Sequence, residues 1–521
     1  MKKRIAKIVG VVLALMLTLL PVTAFAAEGD VAQVGDTTYA TLQEAVANAN
    51  GQTVTLLASV SDQTTIRIEG GAAVTIDLNG HDIGFAQSKS FFVCNGSLTL
   101  TGTGTVAEQS PYFGAVVIKG STTDVADYSN FVCGEGVTLS GWSPVFIDQN
   151  AKHAFGVNVT VNGTLKSVRD TSGDLGNGVY INGQNQDLEV NVPKITLNGK
   201  IESEGNGIYA AGYAEWTMNC DIDAGLDALS IKCGTFDFVG GRYVSHGEYV
   251  DPAEANGNGS EQTGAALSVT TNKGYAKKTV IRVAGGEFIS ENGHAVYEGI
   301  AKKNDGTPAA DASIAQITIS DGSFFGASDK AAVKFETMVD KDTISGGTYT
   351  TPVPAEYIAP ELASLVLNTA DADRYTVVPE AEAEARAMAI VTKADGSKIY
   401  YENRDAAQEA LTDDATVEYY YTVTFRDGET VLATQRVKEN APAAKIDDPK
   451  QAGKIFVRWQ AEGTDKAYDF STPVTQDLIL NAVWTDAPKT GDAGMILMIA
   501  AVTAMVALCI GGVVKIKRAV R

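Results

Sequence analysis

Gly178-Val179-Tyr180-Ile181 and Gly207-Ile208-Tyr209-Ala210 are two copies of one unit, a small residue followed by a mainly apolar triplet. The same unit stands at Ala115-Val116-Val117-Ile118, Pro144-Val145-Phe146-Ile147, Ala228-Leu229-Ser230-Ile231, Ala266-Leu267-Ser268-Val269, Ala295-Val296-Tyr297-Glu298 and Ala332-Val333-Lys334-Phe335. Copies follow one another at intervals of 21 to 38 residues, so the unit is constant while its connections vary. Between them runs a second motif, strand, polar turn, strand, as in Val157-Asn-Val-Thr-Val161-Asn-Gly163-Thr-Leu165, Ile195-Thr-Leu197-Asn-Gly199-Lys-Ile201 and Ile319-Ser-Asp-Gly322-Ser-Phe324. Asn-Gly, Asp-Gly and Gly-Gly suit corners that demand a positive φ. Strands this short cannot bury an inner face alone and must stack to make a core. The pattern predicts an all-β chain built as a right-handed parallel β-helix solenoid over 61–380. A β-sandwich would not need one unit repeated eight times with elastic connections.

An open solenoid end exposes apolar side chains and an unpaired edge, so a cap is expected. Residues 27–60 supply one: Thr41-Leu-Gln-Glu44 is a capping box, and Leu42, Ala45, Val46 and Ala49 form an apolar helical stripe closed by Gly51. Tyr39-Ala-Thr-Leu-Gln-Glu-Ala45 and the turn Asp77-Leu-Asn-Gly-His81 resemble pectate-lyase-like β-helix surface proteins. Ile344-Ser-Gly-Gly-Thr-Tyr349 and Tyr375-Thr-Val-Val378 resemble the end of such helices. The resemblance spans about 31–380 and implies the fold without naming a substrate.

Beyond Pro379 the composition shifts. Residues 381–420 read as an Ala- and Glu-rich linker followed by a strand-helix-strand segment. In 421–485, Tyr421-Thr-Val-Thr-Phe425, Phe456-Val-Arg-Trp459, Tyr468-Asp-Phe470 and Leu480-Asn-Ala-Val-Trp484 resemble the Listeria–Bacteroides, or internalin B-type, repeat. That resemblance implies a small β-grasp-like module used as a stalk or interaction unit. Arg458 stands where the family commonly has Gly before its central Trp. A module this small has little core of its own, so two buried tryptophans would matter.

The two ends carry processing signals. Lys2, Lys3, Arg4 and Lys7 precede an apolar run from Ile8 to Leu20, and Ala24-Phe25-Ala26 offers small residues to a signal peptidase. That order describes a signal peptide over 1–26, cut between Ala26 and Ala27; the run is too short for a bilayer that needs about 20 residues. At the other end, Gly494 to Val514 holds no charge and is long enough to span about 30 Å as a helix. Lys515, Lys517, Arg518 and Arg521 follow, which places that end in the cytoplasm. Just before this transmembrane helix, Ala487-Pro488-Lys489-Thr490-Gly491 resembles the Leu-Pro-x-Thr-Gly sorting signal of wall-anchored Gram-positive surface proteins. The resemblance implies that 486–521 is a sorting signal, that a sortase cuts between Thr490 and Gly491, and that Thr490 is joined to peptidoglycan. Ala487 departs from the usual Leu. The expected location is therefore secreted and wall-anchored, with the membrane a partner only before sorting.

The exported stretch holds 33 basic and 62 acidic residues, a net charge of −29. Such a surface repels nucleic acid and anionic membranes. Cys509 lies in the apolar span, and Cys94, Cys133, Cys220 and Cys233 have no metal-site spacing. Disulfides among these four stay open, with buried free thiols the simpler expectation. For catalysis, Glu202-Ser-Glu204 and Asp221-Ile-Asp223 each put two acids on one strand face. A glycosidase needs one such carboxyl as acid and another as base; a solvated outer ladder is the plainer reading. His81, His153, His246 and His294 are isolated, and no metal or cofactor set is expected. Tyr180, Tyr209 and Tyr297 share one position of the unit, and rings stacked in register would make a ladder for sugars or pack a core. The expected function is adhesion or glycan binding at the cell surface without catalysis. The competing classes are a polysaccharide lyase or glycoside hydrolase, and a structural spacer.

Overall fold

A computed structural model describes residues 29–487, apart from 109–113, 121–127, 149–155, 171, 183–191, 251–253, 256–260, 273–278, 304 and 369–373. The chain divides into two compact units, Met1–Glu380 and Ala381–Arg521.

The first unit is an all-β solenoid of stacked parallel strands. One of its sheets has ten: Ile66–Glu69, Phe91–Cys94, Val116–Lys119, Val145–Asp148, Asn177–Asn182, Asn206–Ala210, Leu229–Ile231, Leu267–Thr271, Val296–Ile300 and Val333–Phe335. Each pairs in parallel with the next, without offset, so like positions align from rung to rung. The last eight are the eight copies of the unit. The first two are preceded by Thr65 and Ser90 in place of Ala, Gly or Pro, which hid them. Alternation along each strand sends Val179 and Ile181, Ile208 and Ala210, and Leu229 and Ile231 into one continuous core, all buried. Tyr180, Tyr209 and Ser230 fall in the opposite, outward column.

The second motif supplies the other strands of the rungs. Val157–Val161 pairs in parallel with Lys194–Leu197, and Thr164–Ser167 with Lys200–Ser203. The corner glycines between them are fixed by crowding. A Cβ on Gly199 would lie 1.9 Å from the carbonyl oxygen of Gly163 in the rung below, and neither residue has a positive φ. The positive φ expected of such corners is found at Gly322 instead, at 121°.

At the N-terminal end, helix Leu42–Ala47 buries Leu42, Ala45 and Val46. Thr41 Oγ1 accepts the Glu44 N–H at 3.2 Å, the N-cap bond expected of the capping box, and donates to Glu44 Oε2 at 2.9 Å. Ala32–Val34 runs antiparallel to Gln52–Leu56, which then pairs in parallel with Ala73–Asp77 and starts the solenoid. Leu362–Leu367 and Arg374–Pro379 form an antiparallel pair at the other end, with Arg374–Pro379 also bonded to Thr348–Tyr349.

In the second unit, Ala389–Thr392 pairs antiparallel with Lys398–Tyr401 and with Thr416–Asp427, around helix Arg404–Glu409. Thr416–Asp427 continues into the repeat, antiparallel to Thr430–Lys438 and parallel to Leu478–Asp486. One strand thus serves both the 381–420 segment and the 421–485 module. Phe425 and Trp459 are buried and meet edge to face at 4.9 Å. Trp484 is half-buried, with Nε1–H donating to Asp427 Oδ1 at 2.8 Å.

Cys133, Cys220 and Cys233 are buried free thiols and Cys94 is a half-buried one. Among the described residues no helix is long and apolar enough to cross a membrane. Ala24, Ala26 and Ala27, Pro488 to Gly491, the apolar span and His153 lie outside the described residues.

Candidate functional site

The outward column of the ten-stranded sheet brings Phe146, Tyr180 and Tyr209 onto three consecutive strands. Strand spacing is close to the ideal ring stacking distance. Phe146 and Tyr180 stack at 4.9 Å with 18° between planes, and Tyr180 and Tyr209 at 5.2 Å with 15°. Trp142, in the corner before Phe146, tilts 41° against Tyr180 at 6.2 Å. Trp142, Phe146 and Tyr180 are half-buried, which leaves part of each ring to solvent.

The expected ladder of Tyr180, Tyr209 and Tyr297 is therefore shifted. Tyr209 is only 6% exposed and Tyr297 fully buried, because the sheet's outer face is covered there. Ser230 and Ser268 also stand between those two tyrosines in the column. Tyr297 instead donates its hydroxyl to Glu336 Oε2 at 3.0 Å. Phe146 was legible as a member of the repeated unit; Trp142 lies outside the unit and carried no signal.

Past Tyr209 the outer face turns polar and stays buried. Lys232 donates from Nζ to Thr270 Oγ1 at 2.6 Å and Ser230 Oγ at 3.2 Å, 6.0 Å from the Tyr209 ring centre. Asp227 accepts the Gly264 N–H at 2.7 Å, the Thr263 N–H at 3.0 Å and the Thr263 hydroxyl at 3.2 Å. Burial pushes the Asp227 carboxyl up to about 6 and the Lys232 ammonium down to about 7, and each charge moderates the shift of the other. The sequence reading missed both residues.

The paired acids lie on the outer face of the other sheet, as a solvated ladder. Lys200 and Lys166 reach Glu202 at 2.6 and 3.4 Å, and Arg169 reaches Glu204 at 2.8 Å. His246 bridges Asp223 through Nε2 at 3.1 Å and Glu291 through Nδ1 at 2.8 Å. Glu202, Glu204 and Asp223 line a shallow depression of about 440 Å³. The hydrogen bond from Lys200 holds Glu202 below the usual carboxylate range, the opposite of what a general acid needs. His294 is buried with Nδ1 at 2.7 Å from the Ala331 carbonyl, and His81 is half-buried in its turn. Among the described residues no group of His, Cys, Asp and Glu is placed to hold a metal ion.

Comparison of the chain with curated proteins and with solved structures finds no match. Residues 421–483 match the family model of the Listeria-Bacteroides repeat domain. That family is typical of extracellular surface proteins, and the match supports a surface location for this strand-rich, parallel-sheet chain.

Proposed function

We propose that this chain is a sortase-anchored surface protein of Gram-positive type, whose pectate-lyase-like parallel β-helix displays a face that binds a glycan or host-surface ligand without cleaving it. The observation that carries the reading is the half-exposed aromatic group Trp142, Phe146 and Tyr180. Flat apolar rings at a wet surface suit the apolar face of a sugar. The absence of a role for the acids supports binding over cleavage: Glu202, Glu204 and Asp223 are each tied to a cation or a histidine. The Listeria-Bacteroides repeat then acts as a stalk or interaction unit, and the Pro488-Lys489-Thr490-Gly491 motif delivers the chain to peptidoglycan.

The test is a glycan array probed with the chain from Ala27 to Thr490, with a reducing-sugar assay beside it. Binding without turnover is expected, and release of sugar ends in proportion to protein would overturn the reading. On cells, muralytic enzymes and not detergent should release the protein, and Thr490→Ala should make it detergent-extractable. Unchanged wall attachment in that variant defeats the sortase step.

A further inference from the structure

Thr416–Asp427 and Leu478–Asp486 are the strands by which the chain enters and leaves the repeat module, and they lie side by side in parallel. Val423, Thr424, Phe425 and Arg426 pair with Leu478, Ile479, Leu480 and Asn481 in unbroken register. Within the module the other neighbours of the two strands, Thr430–Lys438 and Lys454–Ala461, are antiparallel to them. In a parallel pair, the start of one strand and the end of the other lie at opposite ends. A pull on the chain before Thr416 and after Asp486 therefore draws the two strands along their own axes in opposite directions. Their hydrogen bonds run across the strands, so such a pull loads all the paired positions together and does not open them one by one. Val423, Phe425 and Leu480 back the pairing with side chains buried in one cluster with Trp459.

One side chain stitches the beginning of this pairing. Asp477, the residue before the last strand, accepts the Thr422 N–H on Oδ1 at 2.8 Å, which carries the contact one position past Val423 and Leu478. The same carboxylate takes the guanidinium of Arg404, Nη1 on Oδ1 at 3.1 Å and Nη2 on Oδ2 at 2.6 Å. Arg404 also donates from Nη1 to the Tyr420 carbonyl at 3.0 Å and lies 4.7 Å over the Tyr421 ring. It opens helix Arg404–Glu409, outside the matched residues 421–483. A two-bond fork of this kind fixes direction as well as distance.

We propose that Thr416–Asp427 and Leu478–Asp486 form a clamp that bears tension along the chain, with Arg404 and Asp477 as its bolt. The clamp rests on the reading of 421–485 as a stalk in a wall-anchored chain, and adds the direction in which that stalk is strong. Held at Thr490 and pulled through a ligand on the solenoid, the chain meets the load in the geometry that shares it over the whole pairing. At equilibrium a pair as exposed as Arg404 (29%) and Asp477 (52%) contributes little to stability. Under tension the same pair has to break before the strands can slide. The 381–420 segment is then a working part of the stalk, since it supplies Arg404.

The experiment stretches single molecules of the chain from Ala27 to Thr490 between two handles, in two attachments. Handles at Ala27 and Thr490 pull the strands past each other, and the module is recognised by the roughly 220 Å of chain that residues 421 to 486 release. Handles at Thr490 and at Glu429→Cys, in the exposed turn after Thr416–Asp427, hold both strands by the same end and peel them apart. The first attachment is expected to need at least about twice the force of the second, because four pairings share the load. Arg404→Met and Asp477→Ala should each lower the force in the first attachment, leave it unchanged in the second, which reaches the bolt last, and melt near the wild-type temperature. Equal forces in the two attachments overturn the clamp. Wild-type force in both variants, or a fall that is the same in both attachments, overturns the bolt. Anchoring is tested apart from this, on cells with Thr490→Ala, so failure of the sortase step and failure of the clamp are told apart.

Discussion

Tyr180 and Tyr209 stack at 5.2 Å on adjacent strands, yet only Tyr180 reaches solvent. The same ring in the same column thus does two jobs. Tyr180 ends a half-exposed aromatic face, while Tyr209 packs beneath the covered part of the sheet beside Lys232. Burial accordingly pushes both phenols up, and Tyr209 the further, with Tyr180 and Cys233 adding to its shift.

Single alanine variants should separate these jobs. Tyr209→Ala opens a cavity in a buried site and is expected to cost about 3 kcal/mol in denaturant unfolding. Tyr180→Ala removes a half-exposed ring and should cost about 1 kcal/mol, while weakening ligand binding the more strongly of the two. Equal losses of stability would mean that Tyr180 is packed as deeply as Tyr209.

His246 offers a pH test. The hydrogen bond His246 donates to Glu291, with Asp223 adding to it, raises its pKa above the ordinary 6.5, so the folded protein holds that proton more tightly than the unfolded chain. The resulting stabilisation is full below pH 6.5 and is lost as pH rises through the folded value. The side chain is 38% exposed, so solvent screens the pair and the effect is about 0.2–1 kcal/mol. Unfolding of wild type and His246→Gln at pH 5.5 and 8.5 should show the difference shrinking at the higher pH. A difference that grows with pH would contradict the assignment.

The repeated unit was legible because parallel strands stacked without offset put like residues in one column, and a core column tolerates only apolar side chains. Val179, Ile208, Leu229, Leu267, Val296 and Val333 are such a column. What covers the outside of a sheet is decided by connections far along the chain, and nothing in Tyr209 or Tyr297 announces that they are buried. Lys232 was hidden for the same reason, since a lysine one place past an apolar triplet reads as a solvated end. His246 finds Asp223 and Glu291 only because three rungs bring them together. At the corners, the composition was read correctly and its cause was not: Gly199 is crowded by the Gly163 carbonyl of the rung below.

Val296 tests the stacking itself. It is fully buried, paired with Leu267 on one side and Val333 on the other. Val296→Asp brings an unpaired carboxyl into that column and is expected to cost about 3 kcal/mol or more. Val296→Ala, which only empties space, should cost less. Thermal unfolding of both variants checks the order, and melting of the aspartate variant within about a degree of wild type would remove Val296 from the core.

Lys232 and Asp227 supply the sharpest test of the buried outer face. Both are inaccessible, and burial opposes the charged form of each. Removing one member of a buried charge pair leaves the other without its counter-charge, at a cost of about 3–5 kcal/mol. Lys232→Met should show that loss near pH 6.5, where Asp227 is ionised and Lys232 still holds its proton. The folded value for Asp227, about 6, already lies above its ordinary 3.8, so its contribution to stability falls as pH rises between the two. Without Lys232 the attraction that restrains this rise is gone, and the folded value moves higher still. The variant's deficit relative to wild type should therefore be smaller at pH 5, where a protonated Asp227 is neutral in the folded protein. Adding Asp227→Asn to Lys232→Met removes the stranded charge and should recover much of the lost stability at pH 6.5. A deficit equal at pH 5 and pH 6.5, or a double variant no more stable than Lys232→Met, would show that the lysine contributes by packing and hydrogen bonds alone.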